Sequence, residues 1–170
     1  MARQLRPVEK VDLPAGSLLA QYFAEGDFLD SYAVSAQASP RQAAEEIVRF
    51  PGWARLLVGL RNVLTAPFGL TANGPEAPDK LGVFPVEAET DDEIIAGFND
   101  RHLNFRVSVL SRAGRVTLST WVRPHNRAGR MYLAAIMPFH VAIARDAVWR
   151  VARMAGSDED EYPDRNSAEK

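Results

Sequence analysis

Asp100 and His102 stand two positions apart, and general acid–base chemistry often uses an aspartate beside a histidine. The carboxylate can set the tautomer of the imidazole and raise its basicity. Asp100 also follows Asn99 at an expected turn, where Asp and Asn are favoured because they hydrogen-bond the local backbone. Asp100 and His102 are therefore candidate catalytic residues, and a purely structural turn is the alternative.

The chain has three histidines, His102, His125 and His140, and no cysteine. A zinc site needs three or four converging ligands. The strand register derived below places His102 opposite His125 at one end of the sheet and His140 at the other end. We therefore expect no metal site, and a weak site formed by His102, His125 and Asp100 is the alternative. We also expect no cofactor. The lack of cysteine excludes disulfides and a cysteine nucleophile, and no serine has the sequence context of a nucleophile elbow.

Asp30 and Arg61 are two polar residues that fall beside apolar stripes. Asp30 shares one face of a predicted strand with Tyr32 and other apolar residues, so it is either functional or placed at a bulge. A partly buried arginine needs a carboxylate partner, and Asp27, Asp30 and Asp100 are the candidates for Arg61. Arg61 is then either half of a structural ion pair or a clamp for an anionic ligand, because arginine binds carboxylate or phosphate bidentately.

Helices and strands in a simple order must position these residues. Residues 27–37 alternate as a strand, and Ser39-Pro40 supplies the N-cap and first-turn proline of a helix. Leucine spacing predicts a second helix over 53–64, and the loop 65–80 has the length of a lid or binding loop. The remaining elements are strands at 83–89, 93–99, 102–111, 115–125 and 130–137, and a closing helix at 139–154. This order predicts an α+β fold.

One hairpin has a register that follows from the sequence. With Ala113-Gly114 as a two-residue turn, Arg112 opposes Arg115. One face of both strands is then largely apolar, and a slip by one residue would mix the faces. The pairs on that face are Phe105–Val122, Val107–Thr120, Val109–Leu118 and Ser111–Val116. The other face is either a solvated outer surface or a surface for an anionic partner or head group. Arg106 and Trp121 are cross-strand neighbours there, which favours a cation–π contact. This face carries Asn104, Arg106, Ser108, Thr117, Ser119, Trp121 and Arg123.

The net charge and the hydropathy of the sequence limit the classes of partner and the location that we expect for the protein. The formal net charge of −2 argues against a general nucleic-acid binder, which has a strongly basic surface. A basic cluster near one turn, either solvated or facing an anionic group, comprises Arg123, His125, Arg127 and Arg130. No run of about 18 apolar residues occurs, so we expect no membrane segment. The first ten residues are charged and predict a cytoplasmic protein without a signal peptide.

The length of 170 residues suits one domain. We assign residues 1–155 to this domain. Residues 156–170 are rich in Asp, Glu, Ser and Asn and lack apolar periodicity, so they predict an acidic, disordered tail.

Six stretches of the sequence resemble a bacterial family of uncharacterised proteins, DUF2867. They are Asp27-Phe28-Leu29-Asp30-Ser31-Tyr32, Leu60-Arg61-Asn62, Gly82-Val83-Phe84-Pro85-Val86, residues 100–109, residues 124–132, and Met137-Pro138-Phe139-His140. The element order also resembles the helix-grip fold of the START and Bet v 1-like superfamily (SRPBCC). The resemblance implies a curved antiparallel sheet, two short helices and a long C-terminal helix. It brings no catalytic residues with it.

Members of that superfamily mostly bind apolar or amphipathic ligands between sheet and helix, so the resemblance implies a small-ligand binder of this kind. The expected apolar liners are Tyr32, Phe105, Tyr132 and Met137, and the expected polar residues are Asp30, Arg61 and His102. One alternative is a cyclase- or dehydratase-like enzyme with a His/Asp acid–base pair in the same cavity. Another is a protein-interaction or homodimerisation domain, which an exposed strand edge at 27–37 or an uncovered apolar patch would favour.

Overall fold

The computed structural model describes residues 7–52, 75–100 and 102–161, with side chains described through residue 156. The fold is α+β, as the sequence predicts: a curved antiparallel sheet of seven strands carries a long C-terminal helix. The strands are β1 Glu9–Val11, β2 Phe28–Ser35, β3 Lys80–Leu81, β4 Phe84–Glu89, β5 Glu93–Asn99, β6 Leu103–Arg112 and β7 Arg115–Pro124. The helices are a 3₁₀ helix Leu18–Gln21, α1 Pro40–Val48 and α2 Arg127–Glu161.

The sheet order is β1-β2-β7-β6-β5-β4-β3, and each neighbouring pair is antiparallel. The predicted register of the β6–β7 hairpin is confirmed from Phe105 opposite Val122 to Arg112 opposite Arg115. Both turn residues, Ala113 and Gly114, have positive φ, which a two-residue type I′ turn requires. Strand β2 pairs with β7 along its whole length but with β1 only over residues 31–33, so β1 covers just the middle of the edge that an interaction domain would expose at 27–37.

The main core lies between the inner face of the sheet and the two helices. Tyr32, Val109 and Leu118 from the sheet are buried against Val148 and Val151 of α2. The helix α1 begins where the sequence predicts, with Ser39 as N-cap in a full capping box and Pro40 in the first turn. Its C-terminal end is tied to α2 because Arg150 donates to the carbonyl oxygens of residues 46 and 47.

The outer face of the sheet is buried, so the prediction of a solvated surface there is wrong. The N-terminal segment around the 3₁₀ helix covers it, and Leu19 packs on Ile95 and Trp121 in a second small core. Arg106 is buried and ion-paired with Glu87. The predicted contact between Arg106 and Trp121 is replaced by two others: Arg106 lies over the ring of Tyr22, and Arg123 over that of Trp121.

The first half of α2 occupies residues that we predicted to be a strand over 130–137, and that prediction is wrong. A short run that is apolar at every position suits a strand or a helix equally. The helix starts at Arg127 because Asn126 caps it: its Oδ1 accepts from the backbone N–H of Gly129, 2.9 Å away. The helix then continues through Pro138, which lacks the N–H that an interior helical position normally donates.

The two halves of α2 differ in burial. The second half carries a fully buried stripe, which comprises Ala144, Ala147, Val148, Val151, Ala152 and Ala155. Residues 130–143 include no fully buried side chain, and Met131 and Phe139 are 73% and 49% exposed. By length and composition Arg127–Gly156 could cross a membrane, a property that core helices also show. The expectation of a protein without a membrane segment stays a prediction.

Candidate functional site

Asp30 is a carboxylate on the largely apolar inner face of the sheet. It lies opposite Thr120 in a regular ladder, so no bulge accounts for its position. Its side chain is only 4% exposed. Its two oxygens lie 3.1 and 3.2 Å from Nε2 of His140, which reaches down from the first half of α2. A buried carboxylate is costly unless it is paired and hydrogen-bonded, and His140 supplies that partner.

Tyr32 extends this cluster along the same strand face. It is two residues after Asp30, so both side chains point to the inner face. Burial raises the pKa of the Tyr32 hydroxyl, and the charge of Asp30 and a hydrogen bond to it raise that pKa further. The guanidinium of Arg145, on α2, lies 6.0 Å from the Tyr32 ring centroid and acts in the opposite direction. We call Asp30, Tyr32 and His140 the inner polar cluster.

The inner polar cluster is bordered by aromatic side chains. Phe28 meets the ring of His140 edge-on, with centroids 5.9 Å apart. Further across the same face, Phe105 packs edge-on against Phe84 and Phe98. His140 keeps 21% of its side chain exposed, whereas Asp30 is nearly sealed. His140 therefore lies between the buried carboxylate of Asp30 and the less buried part of the boundary between sheet and helix.

A second buried carboxylate, Glu93 on the outer face, differs from Asp30 in its surroundings. It accepts hydrogen bonds from the Ser17 hydroxyl at 2.6 Å, the Leu18 backbone N–H at 2.7 Å and the Ser108 hydroxyl. These neutral donors fix the 3₁₀ helix on the sheet. Because its partners are structural hydroxyl and backbone groups, Glu93 holds the fold together and is not a candidate for chemistry.

Asp27 forms an ion pair with Arg123 at the border of the sheet. Arg123 donates to it from Nε and Nη2, with Nη2 2.8 Å from Oδ2, and the Trp121 indole N–H donates at 2.8 Å. The Arg123 guanidinium is the main reason that the pKa of Asp27 falls from 3.8 to about 2, with further contributions from Trp121 and the backbone of Ala24. This network fixes the start of β2, and with it the position of Asp30.

His102 lies at the beginning of α2, away from the inner polar cluster. Its Nδ1 is 3.1 Å from Nδ2 of Asn126, and its carbonyl oxygen accepts from the backbone N–H of His125. It therefore supports the residue that caps α2. Asp100 starts a turn, with its backbone N–H donating to the Leu103 carbonyl. The structure thus brings His102 opposite His125, as predicted. The catalytic roles of His102 and Asp100 stay predictions.

The other predicted site residues are dispersed. Tyr132 and Met137 are half-buried in the first half of α2 rather than on a strand. Phe105 belongs to the aromatic group on the inner face. Arg61, like the helix predicted over 53–64, lies outside the described residues. The roles of these residues as ligand contacts stay predictions.

His140 is the site residue that the sequence reasoning missed. We expected it at the far end of the sheet because we placed a strand before it, and the continuous helix brings it to Asp30 instead. The available signal was Asp30 itself, since a carboxylate on an apolar face requires a partner. Among the described residues no group of three or more His, Asp or Glu side chains could hold a metal ion.

The fold and site define an α+β domain with a carboxylate–histidine pair between its sheet and its long helix. Residues 22–147 match the model of the family described as "Protein of unknown function (DUF2867)", and the chain belongs to that family. No curated protein and no solved structure matches the chain.

Proposed function

We propose that this protein binds a small amphipathic ligand between the inner face of the sheet and the first half of α2, with the inner polar cluster at the polar end of the ligand. The observation that carries the proposal is the Asp30–His140 pair, a titratable polar group built into an apolar sheet–helix boundary. Ligand sites are mostly apolar, with a few convergent polar groups that fix orientation.

The uneven burial of α2 supports this location. The second half of the helix packs tightly on the sheet, whereas residues 130–143 contain no fully buried side chain among those described. Phe28 and Met137 are both half-buried and would serve as apolar contacts. Phe28 packs against the ring of His140, and Met137 lies shortly before His140 in the sequence. Methionine suits this role because its side chain adapts to different ligand shapes.

The test is native mass spectrometry of the purified protein beside a denatured and extracted sample. The proposal predicts a co-purifying small molecule that disappears on denaturation. Asp30→Asn should reduce its occupancy because the substitution removes the charge that orients His140. The matched control is Asp92→Asn, since Asp92 is half-exposed and pairs only with surface Arg112 among the described residues. Equal occupancy in both variants would contradict a role for Asp30.

An enzyme of the acid–base type is the second candidate function. The specific observation in its favour is that Asp30 contacts the imidazole of His140, an arrangement that general acid–base catalysis uses. In this candidate function the pair would be Asp30 and His140, while the pair of Asp100 and His102 stays a prediction. Chemical conversion of the co-purified molecule, lost in His140→Gln and retained in His125→Gln, would favour this candidate over simple binding.

A further inference from the structure

The side of α2 that faces away from the sheet carries a row of exposed apolar residues. Met131, Phe139 and Trp149 are the large exposed side chains of this row. Met131 and Trp149 are separated by a whole number of helical turns, so they lie on one line of the helix, about 27 Å apart along its axis. The complete apolar row comprises Met131, Ala134, Ala135, Pro138, Phe139, Ala142 and Trp149. Contiguous exposed apolar residues mark sites of interaction with a protein or a membrane.

The exposed charges on α2 are all positive where its side chains are described. They are Arg127, Arg130, Arg145 and Arg153. The sequence has no acidic residue between Arg127 and Arg145. The first one, Asp146, is half-buried and pairs with Arg150. In the described parts of the chain, no carboxylate forms an ion pair with Arg127 or Arg130. The apolar row is therefore accompanied on its own helix by cations and by no exposed carboxylate.

These charges decide between three classes of partner. A second copy of the chain would bring like charges together, because the two helices have no exposed carboxylate to pair with the arginines. Nucleic acid requires many cations along its phosphates, but no lysine or arginine lies between Arg130 and Arg145. An anionic lipid surface offers hydrocarbon to the apolar side chains and phosphate groups to the arginines. It also contacts a row of this length without a groove of matching shape.

We propose that the apolar row of α2 binds the surface of an anionic lipid membrane, with the helix axis parallel to that surface. Met131 and Phe139 enter the boundary between head groups and acyl chains, and the arginines at the start of the helix pair with lipid phosphates. Trp149 suits the other end of the row, because indole rings favour the membrane interface. The contact ends near Trp149, since a run of acidic residues follows at 158–161.

The helix lies on the membrane in this arrangement and does not cross it. Val148 and Val151 belong to the main core and hold the second half of α2 on the sheet. The surface is also separate from the proposed ligand site, because Phe139 is exposed whereas the next residue, His140, contacts Asp30. Failure of membrane binding therefore leaves the ligand-binding proposal standing.

The test is sedimentation of the full chain with lipid vesicles. One preparation contains phosphatidylglycerol and phosphatidylcholine in equal parts, and the other contains phosphatidylcholine alone. We expect the chain to sediment with the anionic vesicles and to bind the neutral ones about tenfold more weakly or worse. Added salt should weaken the binding, because it screens the attraction between arginine and lipid phosphate. Equal binding to both preparations, or binding to neither, would overturn the proposal.

Substitutions locate the contact on the apolar row. Met131→Glu should lower the partition constant for anionic vesicles by about tenfold or more, because it removes apolar area and adds a negative charge. The matched control is Phe23→Glu, which should bind as the wild type does. Phe23 is also exposed, but it directly follows the segment that covers the opposite face of the sheet. A wild-type partition constant for Met131→Glu would refute the assignment of the contact to α2.

The arginines give a second, independent set of variants. Arg127→Gln and Arg130→Gln should each lower the partition constant by about fivefold. Arg112→Gln, at the β6–β7 hairpin, should leave it nearly unchanged. Sedimentation velocity without lipid tests the competing occupant, and we expect a monomer. A dimer that Met131→Glu dissociates would assign the apolar row to a second copy of the chain and overturn the proposal.

Discussion

Asp27 offers a prediction whose size follows from the structure. Its side chain is 7% exposed, and its pKa is lowered from 3.8 to about 2, chiefly by Arg123. A difference of this size corresponds to about 2 kcal/mol of folding stability near neutral pH, as an order of magnitude. Because the pKa in the folded state is the lower one, this stability is present above the unfolded pKa and is lost as the pH falls toward about 2.

Asp27→Asn should therefore destabilise the protein by about 2 kcal/mol near neutral pH, and by about half as much near pH 3. The assay is urea denaturation of both proteins at the two pH values, with a common slope. Asp92→Asn is the control, because its pair with Arg112 is solvent-exposed and should change stability by less than about 1 kcal/mol. A loss for Asp27→Asn that is the same at both pH values would refute the electrostatic reasoning.

Substitutions at three further positions test the packing that positions the site. Asn126→Ala removes the N-cap of α2 and should cost about 1 kcal/mol of stability in urea denaturation, whereas Asn126→Asp, which keeps a capping oxygen, should cost less. Gly129→Ala should cost about 1–3 kcal/mol of stability and lower the melting temperature, because a Cβ there would overlap the carbonyl oxygen of His102. An unchanged melting temperature would show that the start of α2 can shift freely. Gly97→Ala should lower the stability by as much as Gly129→Ala or more, because a Cβ would overlap the backbone of β6 at the buried Arg106. A stability equal to that of the wild type would contradict the packing of β5 on β6.

Local sequence patterns were enough to predict most of the fold. The β6–β7 register was predictable because alternation on two strands and a two-residue turn agree on one alignment. The start of α1 was predictable because Ser39 and Pro40 are specific helix-start signals. The first half of α2 was not, since residues 133–137 are apolar throughout and such a run suits a strand or a helix equally. The cap at Asn126 and contacts with residues far away in the sequence are what favour a helix there.

The candidate site was half predictable for the same reason. Asp30 and Tyr32 were found because strand alternation fixes which face they share. His140 was missed because its distance from Asp30 depends on the type of element before it. The burial of Arg106 was missed because a segment some 85 residues away in sequence covers it, which no local pattern indicates.

The location of the ligand can be tested with the methionine methyl groups. Of the four methionines, three lie on α2 at different depths: Met131 is exposed, Met137 lies one turn before His140, and Met154 packs against the main core. Each gives a separate methyl resonance in a labelled sample, and substitution of each methionine assigns it. The three signals therefore distinguish the outer surface, the proposed site and the tightly packed half of the helix.

Binding between the sheet and the first half of α2 is tested by the methyl spectrum during titration with the neutral dye N-phenyl-1-naphthylamine. We expect a saturable shift of the Met137 methyl resonance, while the Met154 resonance stays in place. A shift confined to Met131 would place the dye on the exposed surface. That result, or no shift at all, would contradict binding at the proposed site.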